Sequence, residues 1–365
     1  MKFTINARTF ASALAQQLRV INAKNALAIL DNFKLELFED RLLITASDPE
    51  ITSVIAIEPK TIDIQGSLCI NASKLTDIVR KFGDKDMTFE RHENANSSTI
   101  TCGKGVYTLP ALEVDEYPMR NIPEDGYFTL PTSSLMEGIN ITKGAASTDS
   151  LRPMLCGVFM NVDANGIDFV ASDTHQLIVC KTEGGMEEPK SVIIPIKTAN
   201  LVLNLFAKYQ DVRICITNNN VTFKTDTALL SSTLQKGNYP NYNRVIPTES
   251  PVNVKVNRKE LLDVINRVSG FASTSTNLIV LEEGGMMEMK VSAKDYDSAQ
   301  TAEDYIMSDG TMGNIRIGLS SGYLSQVLNV FNEDEITLRF IDASRPLKIQ
   351  ENNVTAILMP IQIIE

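Results

Sequence analysis

The stretch FVASDTHQLIVC, residues 169–180, decides the fold because two related stretches occur elsewhere in the chain. The earlier one is RLLITASDPEITSVIAIE at 41–58, and the later one is MEMKVSAKDYDSAQTAED at 287–304. Each places an aspartate (Asp48, Asp173 or Asp295) between two short runs with the composition of β-strands. The aspartates are 125 and 122 residues apart, so the pattern indicates an internal repeat of domain size.

Two amphipathic segments also recur with this period. The first starts with a strand residue and then takes a helical period, and the second has apolar residues at i, i+3, i+4 and i+7, as in a helix that lies on a sheet. The first segment carries Ile5, Phe10 and Leu14, then Leu130, Leu135 and Ile139, then Val256, Leu261 and Ile265. The second carries Leu75, Ile78, Val79 and Phe82, then Ala199, Val202, Leu203 and Phe206, then Leu324, Val327, Leu328 and Phe331.

Each repeat is therefore predicted to run strand, helix, several antiparallel strands, helix, several more strands. This is an α+β unit of about 120 residues, close to the commonest domain size. Turn- and linker-type sequences, NIPEDG and IPTESP, separate the units. The predicted repeats are 1–125, 126–249 and 250–365, and each has two helices packed on antiparallel sheets.

The central stretch also holds Ser172, Asp173 and His175, the side-chain types of a nucleophilic hydrolase. The aspartate recurs in all three repeats, whereas the histidine occurs only in the second. An aspartate that follows a strand commonly binds its own backbone and starts a turn. No G-x-S-x-G elbow is present, and adjacent strand residues point to opposite faces. We therefore favour a structural role and predict no catalytic residues, with the hydrolase as the alternative.

Composition excludes several other classes. The five cysteines are odd in number and scattered, which argues against a disulfide framework and a zinc site. No Walker-type phosphate loop or clustered metal-ligand spacing occurs, so no cofactor or metal is predicted. The first ten residues lack an apolar signal core, which favours a cytoplasmic location. His92 lies in a polar stretch and is expected to be solvated.

Several stretches, in this order and spacing, resemble the bacterial DNA sliding clamps, the beta subunits of DNA polymerase III. They are MKFTI at 1–5, LRPMLCGVF at 151–159, ASDTHQL at 171–177, KGNYPNYNRVIP at 236–247 and ILMPIQI at 357–363. The resemblance covers the whole chain. It implies a non-enzymatic processivity factor, a homodimeric ring that encircles duplex DNA. The implied partners are DNA, the replicative polymerase, the clamp loader and other replication and repair proteins.

The distribution of charge along the chain suits that role. The chain has a net charge of −11, yet the six stretches predicted to be helical, 5–25, 70–82, 130–147, 195–208, 256–270 and 319–331, together carry +8. In the family the helices line the hole, so a basic lining within an acidic protein suits DNA encirclement without wider adhesion. The residues expected to face DNA are Lys24, Arg80, Lys81 and Lys197. A repeat scaffold that never touches DNA remains the second alternative.

The resemblance also implies a surface pocket between the second and third repeats that accepts a short peptide of a partner protein. The matching positions are Arg152, Leu155, Ser172, Thr174, His175, Leu177, Pro240, Val245, Ile357, Met359, Pro360 and Ile361. Thr174 and Gln176 stand where well-known clamps have Gly and Arg, and Gln362 stands where a basic residue is frequent. The peptide preference is therefore left open. By family position, the dimer interface is expected to join Tyr107 and Leu109 of repeat one to Phe271 of repeat three.

Overall fold

A computed structural model describes residues 1–91 and 96–363, so His92 lies outside the described residues. The first repeat contains helices α1 (Ala7–Leu18) and α2 (Ala72–Val79). Its strands are β1 (Lys2–Asn6), β2 (Asn32–Leu37), β3 (Leu42–Ser47), β4 (Ile51–Ile57), β5 (Thr61–Ile64), β6 (Gly66–Asn71), β7 (Asp86–Arg91), β8 (Ser97–Cys102) and β9 (Gly105–Leu112).

The second repeat contains helices α3 (Thr132–Thr142) and α4 (Ile196–Leu205). Its strands are β10 (Tyr127–Pro131), β11 (Gly157–Asp163), β12 (Gly166–Ser172), β13 (Gln176–Thr182), β14 (Lys190–Pro195), β15 (Asp211–Ile216), β16 (Asn220–Lys224) and β17 (Ala228–Thr233).

The third repeat contains helices α5 (Arg258–Ser269) and α6 (Ser321–Leu328). Its strands are β18 (Val252–Asn257), β19 (Leu278–Gly285), β20 (Glu288–Asp295), β21 (Gln300–Asp309), β22 (Ile317–Ser320), β23 (Glu335–Phe340), β24 (Leu347–Glu351) and β25 (Val354–Leu358). The predicted order of strand, helix, strands, helix, strands is thus confirmed in all three repeats.

The helices are shorter than the apolar periodicity suggested. The first was expected over 5–25, yet α1 ends at Leu18 and Lys24 lies in the loop that follows. The third was expected over 130–147, yet α3 ends at Thr142 and gives way to a 3₁₀ turn. Apolar residues of the turn that follows each helix, such as Val20 and Ala145, are also buried. They extend the apolar pattern past the end of the helix, so the periodicity predicts a helix that is too long.

Strand pairing joins the repeats and does not separate them. Residues 1–136 and 197–234 form one compact unit (unit 1), and residues 137–196 and 235–365 form another (unit 2). Unit 1 has a continuous sheet in the order β10-β15-β16-β17-β4-β3-β2-β6-β9-β8-β7-β1-β5. Unit 2 has one in the order β14-β11-β12-β13-β25-β24-β23-β18-β21-β20-β19-β22. The second repeat therefore contributes residues to both units.

Two equivalent antiparallel pairings cause this arrangement. Strand β4 of repeat one pairs with β17, the last strand of repeat two. Strand β13 of repeat two pairs with β25, the last strand of repeat three. In both cases the strand that follows the repeated aspartate of one repeat pairs with the final strand of the next repeat. Backbone hydrogen bonds thus hold neighbouring repeats together.

The three aspartates start turns, as the repeat pattern predicted. Asp48 Oδ1 accepts hydrogen bonds from the backbone N–H groups of Glu50 (2.7 Å) and Ile51 (2.6 Å). Asp173 Oδ1 accepts two equivalent bonds, and Asp295 Oδ1 accepts one from the residue two positions on. Each carboxylate satisfies backbone donors at the end of one strand, so the next strand can return antiparallel to it.

Asp48 has a further role within unit 1. Its Oδ2 lies 2.6 Å from the ammonium of Lys197, which also donates to the carbonyl oxygen of Val20 (2.7 Å) and to Oδ1 of Asn22 (2.6 Å). The Asp48 side chain is 5% exposed and the Lys197 side chain 37% exposed. Lys197 therefore ties α4 to the first repeat through three acceptors, and its contact with DNA stays a prediction.

Replacing Asp48 by Ala should lower the free energy of unfolding by about 3 kcal/mol, since two backbone donors and one ammonium lose their acceptor. Asp295→Ala provides the matched control at the equivalent position, where the carboxylate accepts hydrogen bonds from Asp297 and Ser298 and no lysine among the described residues is bound, so its cost should be clearly smaller. Urea unfolding of both variants measures the difference. Equal losses would show that the Lys197 contact adds nothing to the turn.

Candidate functional site

A cavity of about 250 Å³ opens on unit 2 beside the end of β13. Its floor belongs to a buried cluster formed by Val170, Leu177, Val179 and Ile357. Leu177 of β13 lies opposite Ile357 of β25, so the pairing that joins repeats two and three also builds the floor. The cavity is lined by Leu155, Ser172, Thr174, Gln176, Leu177, Tyr239, Pro240, Asn241, Tyr242, Val245, Ile357 and Met359.

Most of the residues that the family resemblance assigned to a pocket meet at this cavity. The eight that line it are Leu155, Ser172, Thr174, Leu177, Pro240, Val245, Ile357 and Met359. Arg152 stands at its rim, where Nη1 donates to the hydroxyl of Thr174 at 3.4 Å. Pro360 and Ile361 line a different cavity of about 500 Å³, together with Arg316 and Gly318.

The three side chains of the hydrolase alternative do not form a catalytic relay. The hydroxyl of Ser172 donates to the carbonyl oxygen of Gln176 at 2.7 Å. Asp173 binds backbone N–H groups, and the ring of His175 stacks on Tyr323 with centroids 5.7 Å apart. All three side chains have structural partners, so they serve the turn and its packing.

Aromatic residues that the sequence argument missed form one wall. Tyr239 stacks on Phe159 with ring centroids 4.6 Å apart, and Tyr242 meets the same ring edge-on at 6.2 Å. The segment KGNYPNYNRVIP contains both tyrosines, and two aromatic rings beside a predicted pocket proline were the signal that could have identified them.

The tyrosine wall is fixed by polar contacts behind it. The hydroxyl of Tyr242 donates to Oδ2 of Asp168 at 2.7 Å, and Lys181 Nζ lies 3.1 Å from Oδ1 of the same carboxylate. Burial, followed by the hydrogen bond to Asp168, raises the pKa of Tyr242 well above its ordinary value. Burial likewise raises the pKa of Tyr239. Both rings are therefore neutral walls that present apolar surface to the cavity.

Thr174 is strained. Its backbone φ is +81°, in the left-handed region that β-branched residues avoid because Cβ approaches the following carbonyl oxygen. Its N–H donates to the hydroxyl of Ser172 at 3.1 Å, which helps to hold this conformation. The threonine side chain thus lies on the cavity wall at a cost in stability, where a glycine would leave the rim open.

The residues predicted for the dimer interface are placed differently from one another. Tyr107, on β9, is 40% exposed and packs on Phe82, and Phe271 is 42% exposed just after α5. Leu109 is only 7% exposed, because it and Ala111 point to the buried face of β9. Leu109 therefore contributes to the core of its own repeat, and its place in the dimer interface stays a prediction.

Among the predicted DNA-facing cations, Lys24, Arg80 and Lys81 are exposed. Arg80 makes one surface ion pair, with Asp77 at 3.4 Å. Within the described residues no cluster of three or more potential metal ligands occurs, and no helix there is long and apolar enough to cross a membrane.

Comparison with known proteins accounts for these features. Models of the N-terminal, central and C-terminal domains of the DNA polymerase III beta subunit match residues 1–123, 129–241 and 243–362. The chain belongs to the DNA polymerase III beta subunit family. Members of this family are sliding clamps, non-catalytic processivity factors of DNA replication, so the hydrolase alternative is excluded.

Individual relatives agree with this assignment along the full length of the clamp. The beta sliding clamps of Staphylococcus aureus and Staphylococcus epidermidis are 28% and 27% identical to this chain, over 99% of each protein. The sliding clamp of Bacillus subtilis superposes with a TM-score of 0.92 at 28% identity, covering both chains completely. The Pseudomonas aeruginosa clamp bound to griselimycin has a TM-score of 0.94 at 23% identity and full coverage.

Relief of the strain at Thr174 should be measurable in this clamp. Thr174→Gly removes the strain of a β-branched residue in the left-handed region, which costs about 1–2 kcal/mol. The glycine adds conformational entropy to the unfolded chain, which costs roughly 0.5–1 kcal/mol of stability. We expect a small net gain in the free energy of unfolding, read by urea denaturation. Ser172→Gly is the control and should destabilise, since its hydroxyl bonds are lost. A destabilised Thr174→Gly variant would show that the hydroxyl contact to Arg152 outweighs the strain.

Proposed function

We propose that two copies of this chain join head to tail in a ring around duplex DNA, and that the cavity on unit 2 binds short peptides of polymerase, clamp loader and repair proteins. This work would take place in the cytoplasm. The observation that carries the assembly is a pair of strand edges that, within residues 1–91 and 96–363, lack a partner over most of their length. On one side, β21 pairs with β20, and on its other side it meets β18 only at Ser308 and Asp309.

The second free edge belongs to β9. Its last two residues pair with β6, whereas residues 105–110 face a neighbour only on the β8 side within the described part of the chain. Strand β21 follows the third aspartate turn, and β9 is the last strand of repeat one. They are thus the remaining members of the two strand sets that pair as β4–β17 and β13–β25. Exposed edges of this kind favour pairing with another chain.

Internal equivalence also gives the register. Thr52 lies opposite Ser231, and Leu177 lies opposite Ile357. The equivalent residue of β21 is Thr301, which pairs with Lys294 as Thr52 does with Ser47. The equivalent residue of β9 is Thr108. It lies three residues after Gly105, which pairs with Cys102 across the turn, as Ile357 lies three residues after Val354, which pairs with Glu351. The proposed interface places Thr301 of one chain opposite Thr108 of the next.

Cysteines at these two positions test the interface and the ring together. A bifunctional maleimide should join Thr108→Cys and Thr301→Cys across both interfaces of a dimer, giving a closed covalent product in denaturing gels. Clamps cross-linked after loading onto nicked circular DNA should remain bound in high salt, which screens the charge of the lining. Cutting the circle should release them over the free ends.

A variant that carries only one of the two introduced cysteines is the matched control and should not form a closed product. Equal retention on circular and linear DNA would show that affinity, not encirclement, holds the complex. Absence of the cross-link in a protein that is dimeric by light scattering would place the interface elsewhere. Of the basic residues, Lys24, Arg80 and Lys81 support DNA contact, because their charges are exposed.

The cavity on unit 2 is suited to a peptide with one aliphatic and one aromatic side chain. Its walls are largely apolar, and Met359, which is 40% exposed, offers an adaptable lip. Clamps of Pseudomonas aeruginosa and Bartonella birtlesii have been seen bound to griselimycin, which supports ligand binding by this fold. Gln176 on the wall carries no charge, so the peptide needs no acidic residue at that point.

Met359→Ala should weaken binding of a polymerase-derived peptide by about 1–2 kcal/mol, the usual cost of truncating a central contact. Met286→Ala is the control, because Met286 is 94% exposed in a turn and lies outside the cavity. Calorimetric titration of each folded variant gives the affinities. Unchanged binding by the Met359 variant, or equal loss in both, would remove this cavity from the peptide site.

A further inference from the structure

The sheet positions beneath the cavity occur once in each repeat. Strand pairing defines them, because Lys34 pairs with Thr45, Phe159 with Val170 and Val280 with Ser292. Thr45, Val170 and Ser292 each directly precede the alanine of their aspartate turn. The three pairs thus mark one site on the sheet face away from the helices in each repeat. They are called here the first, second and third grooves.

A tyrosine from the following linker covers the first groove. Tyr117 is 4% exposed, and its hydroxyl donates to the carbonyl oxygens of Asn32 (3.4 Å) and Thr45 (3.5 Å). Burial raises its pKa to about 12. The ring therefore fills the first groove as part of the core of unit 1.

A second tyrosine covers the second groove in the same way. Tyr239 lies on Phe159, the groove residue that pairs with Val170. Both tyrosines precede a proline, Pro118 and Pro240. Each tyrosine also follows a residue that binds the strand preceding the second helix of its repeat, and this contact is called here the crossing. Leu112 pairs with Cys69 of β6, and the N–H of Gln235 donates to the carbonyl oxygen of Ile193 in β14. The tyrosines stand five and four residues beyond those crossings.

The third repeat makes the same crossing without a tyrosine. The N–H of Ile361 donates to the carbonyl oxygen of Gly318 at 2.8 Å, and the two residues after it that the structure describes, Gln362 and Ile363, are not aromatic. Of the described residues beyond the crossing, only Ile363 touches the third groove. A cavity of about 330 Å³ lies there. Leu278, Val280 and Ser292 line it, together with Thr301 at the β21 edge that is proposed to meet the next chain of the ring.

The charges around the third groove indicate what it would accept. Lys290 is bound by Glu303 at 2.5 Å and Glu282 at 3.5 Å, so those carboxylates are already paired. Lys294 lies over the ring of Tyr296 at 4.1 Å and pairs with no carboxylate among the described residues. An occupant with an aromatic ring above Val280 and an acidic residue near Lys294 would satisfy both features.

We propose that the third groove is a second docking site, which binds a Tyr-Pro segment flanked by acidic residues and supplied by a partner protein. The clamp's own first linker, EVDEYPMR at 113–120, has this chemistry and occupies the equivalent groove in unit 1. The proposal does not rest on the peptide cavity of unit 2, because the two sites share no lining residue.

A synthetic peptide of residues 113–120 provides the probe, added in trans to the full-length clamp. Chemical shifts of the amides of β19–β21 should move on titration to about millimolar peptide, the range expected for a small segment. A peptide with Tyr117 replaced by Ala should lose at least tenfold in affinity. The outcome that overturns the proposal is no shift, or equal shifts with both peptides.

Clamp variants locate the site. Ser292→Phe fills the groove and should abolish binding, while Lys294→Glu, an exposed change that keeps the fold, should weaken it severalfold by repelling the acidic residues. Met359→Ala should leave binding unchanged, and loss in that variant would assign the peptide to the cavity of unit 2. Binding that requires deletion of residues 364–365 would assign the groove to the chain's own terminus, which also overturns the proposal.

Discussion

Antiparallel pairing between successive repeats is the constraint on which the rest of the structure depends. Strand β4 cannot reach β17, nor β13 reach β25, unless the chain turns sharply after the preceding strand, and the aspartate carboxylate makes that turn. Once the strands are paired, the sheet continues across the repeat boundary. The join between repeats is therefore held by the same kind of backbone hydrogen-bond ladder as the inside of a repeat.

The same pairing creates the candidate peptide site. The floor of the cavity is the Leu177–Ile357 pair, and its wall is the linker that leaves the end of repeat two. At the first join the corresponding linker is bound more firmly. Arg120 donates to the carbonyl oxygen of Pro49 at 2.7 Å and to the hydroxyl of Thr233 at 3.0 Å. That linker closes its join, whereas the second linker leaves space beside its own.

Much of this architecture was predictable from sequence because a repeat triples every signal. The aspartate turn, the helix stripes and the order of elements each occurred three times, so chance agreement was small. Eight of the twelve predicted pocket residues line one cavity. The surroundings of single side chains could not be predicted in this way. The burial of Leu109 depends on which face of β9 is covered, and the contacts of Lys197 depend on a buried carboxylate 149 positions away. Neither is visible in local periodicity.

Equivalent positions in this clamp have diverged in polarity while the backbone around them is retained. One groove position pairs with the residue that directly precedes the alanine of the aspartate turn. It is Lys34 in repeat one, Phe159 in repeat two and Val280 in repeat three. Lys34 is buried and held by Glu36 at 2.9 Å, which suits a closed core contact. Phe159 gives a flat ring on which a tyrosine can stack beside an open cavity. Val280 gives an apolar floor among charged neighbours. The same surface is thus buried under the linker in repeat one, covered beside an open cavity in repeat two and uncovered in repeat three. Side-chain choice at a few sheet positions decides how much of the following linker is bound.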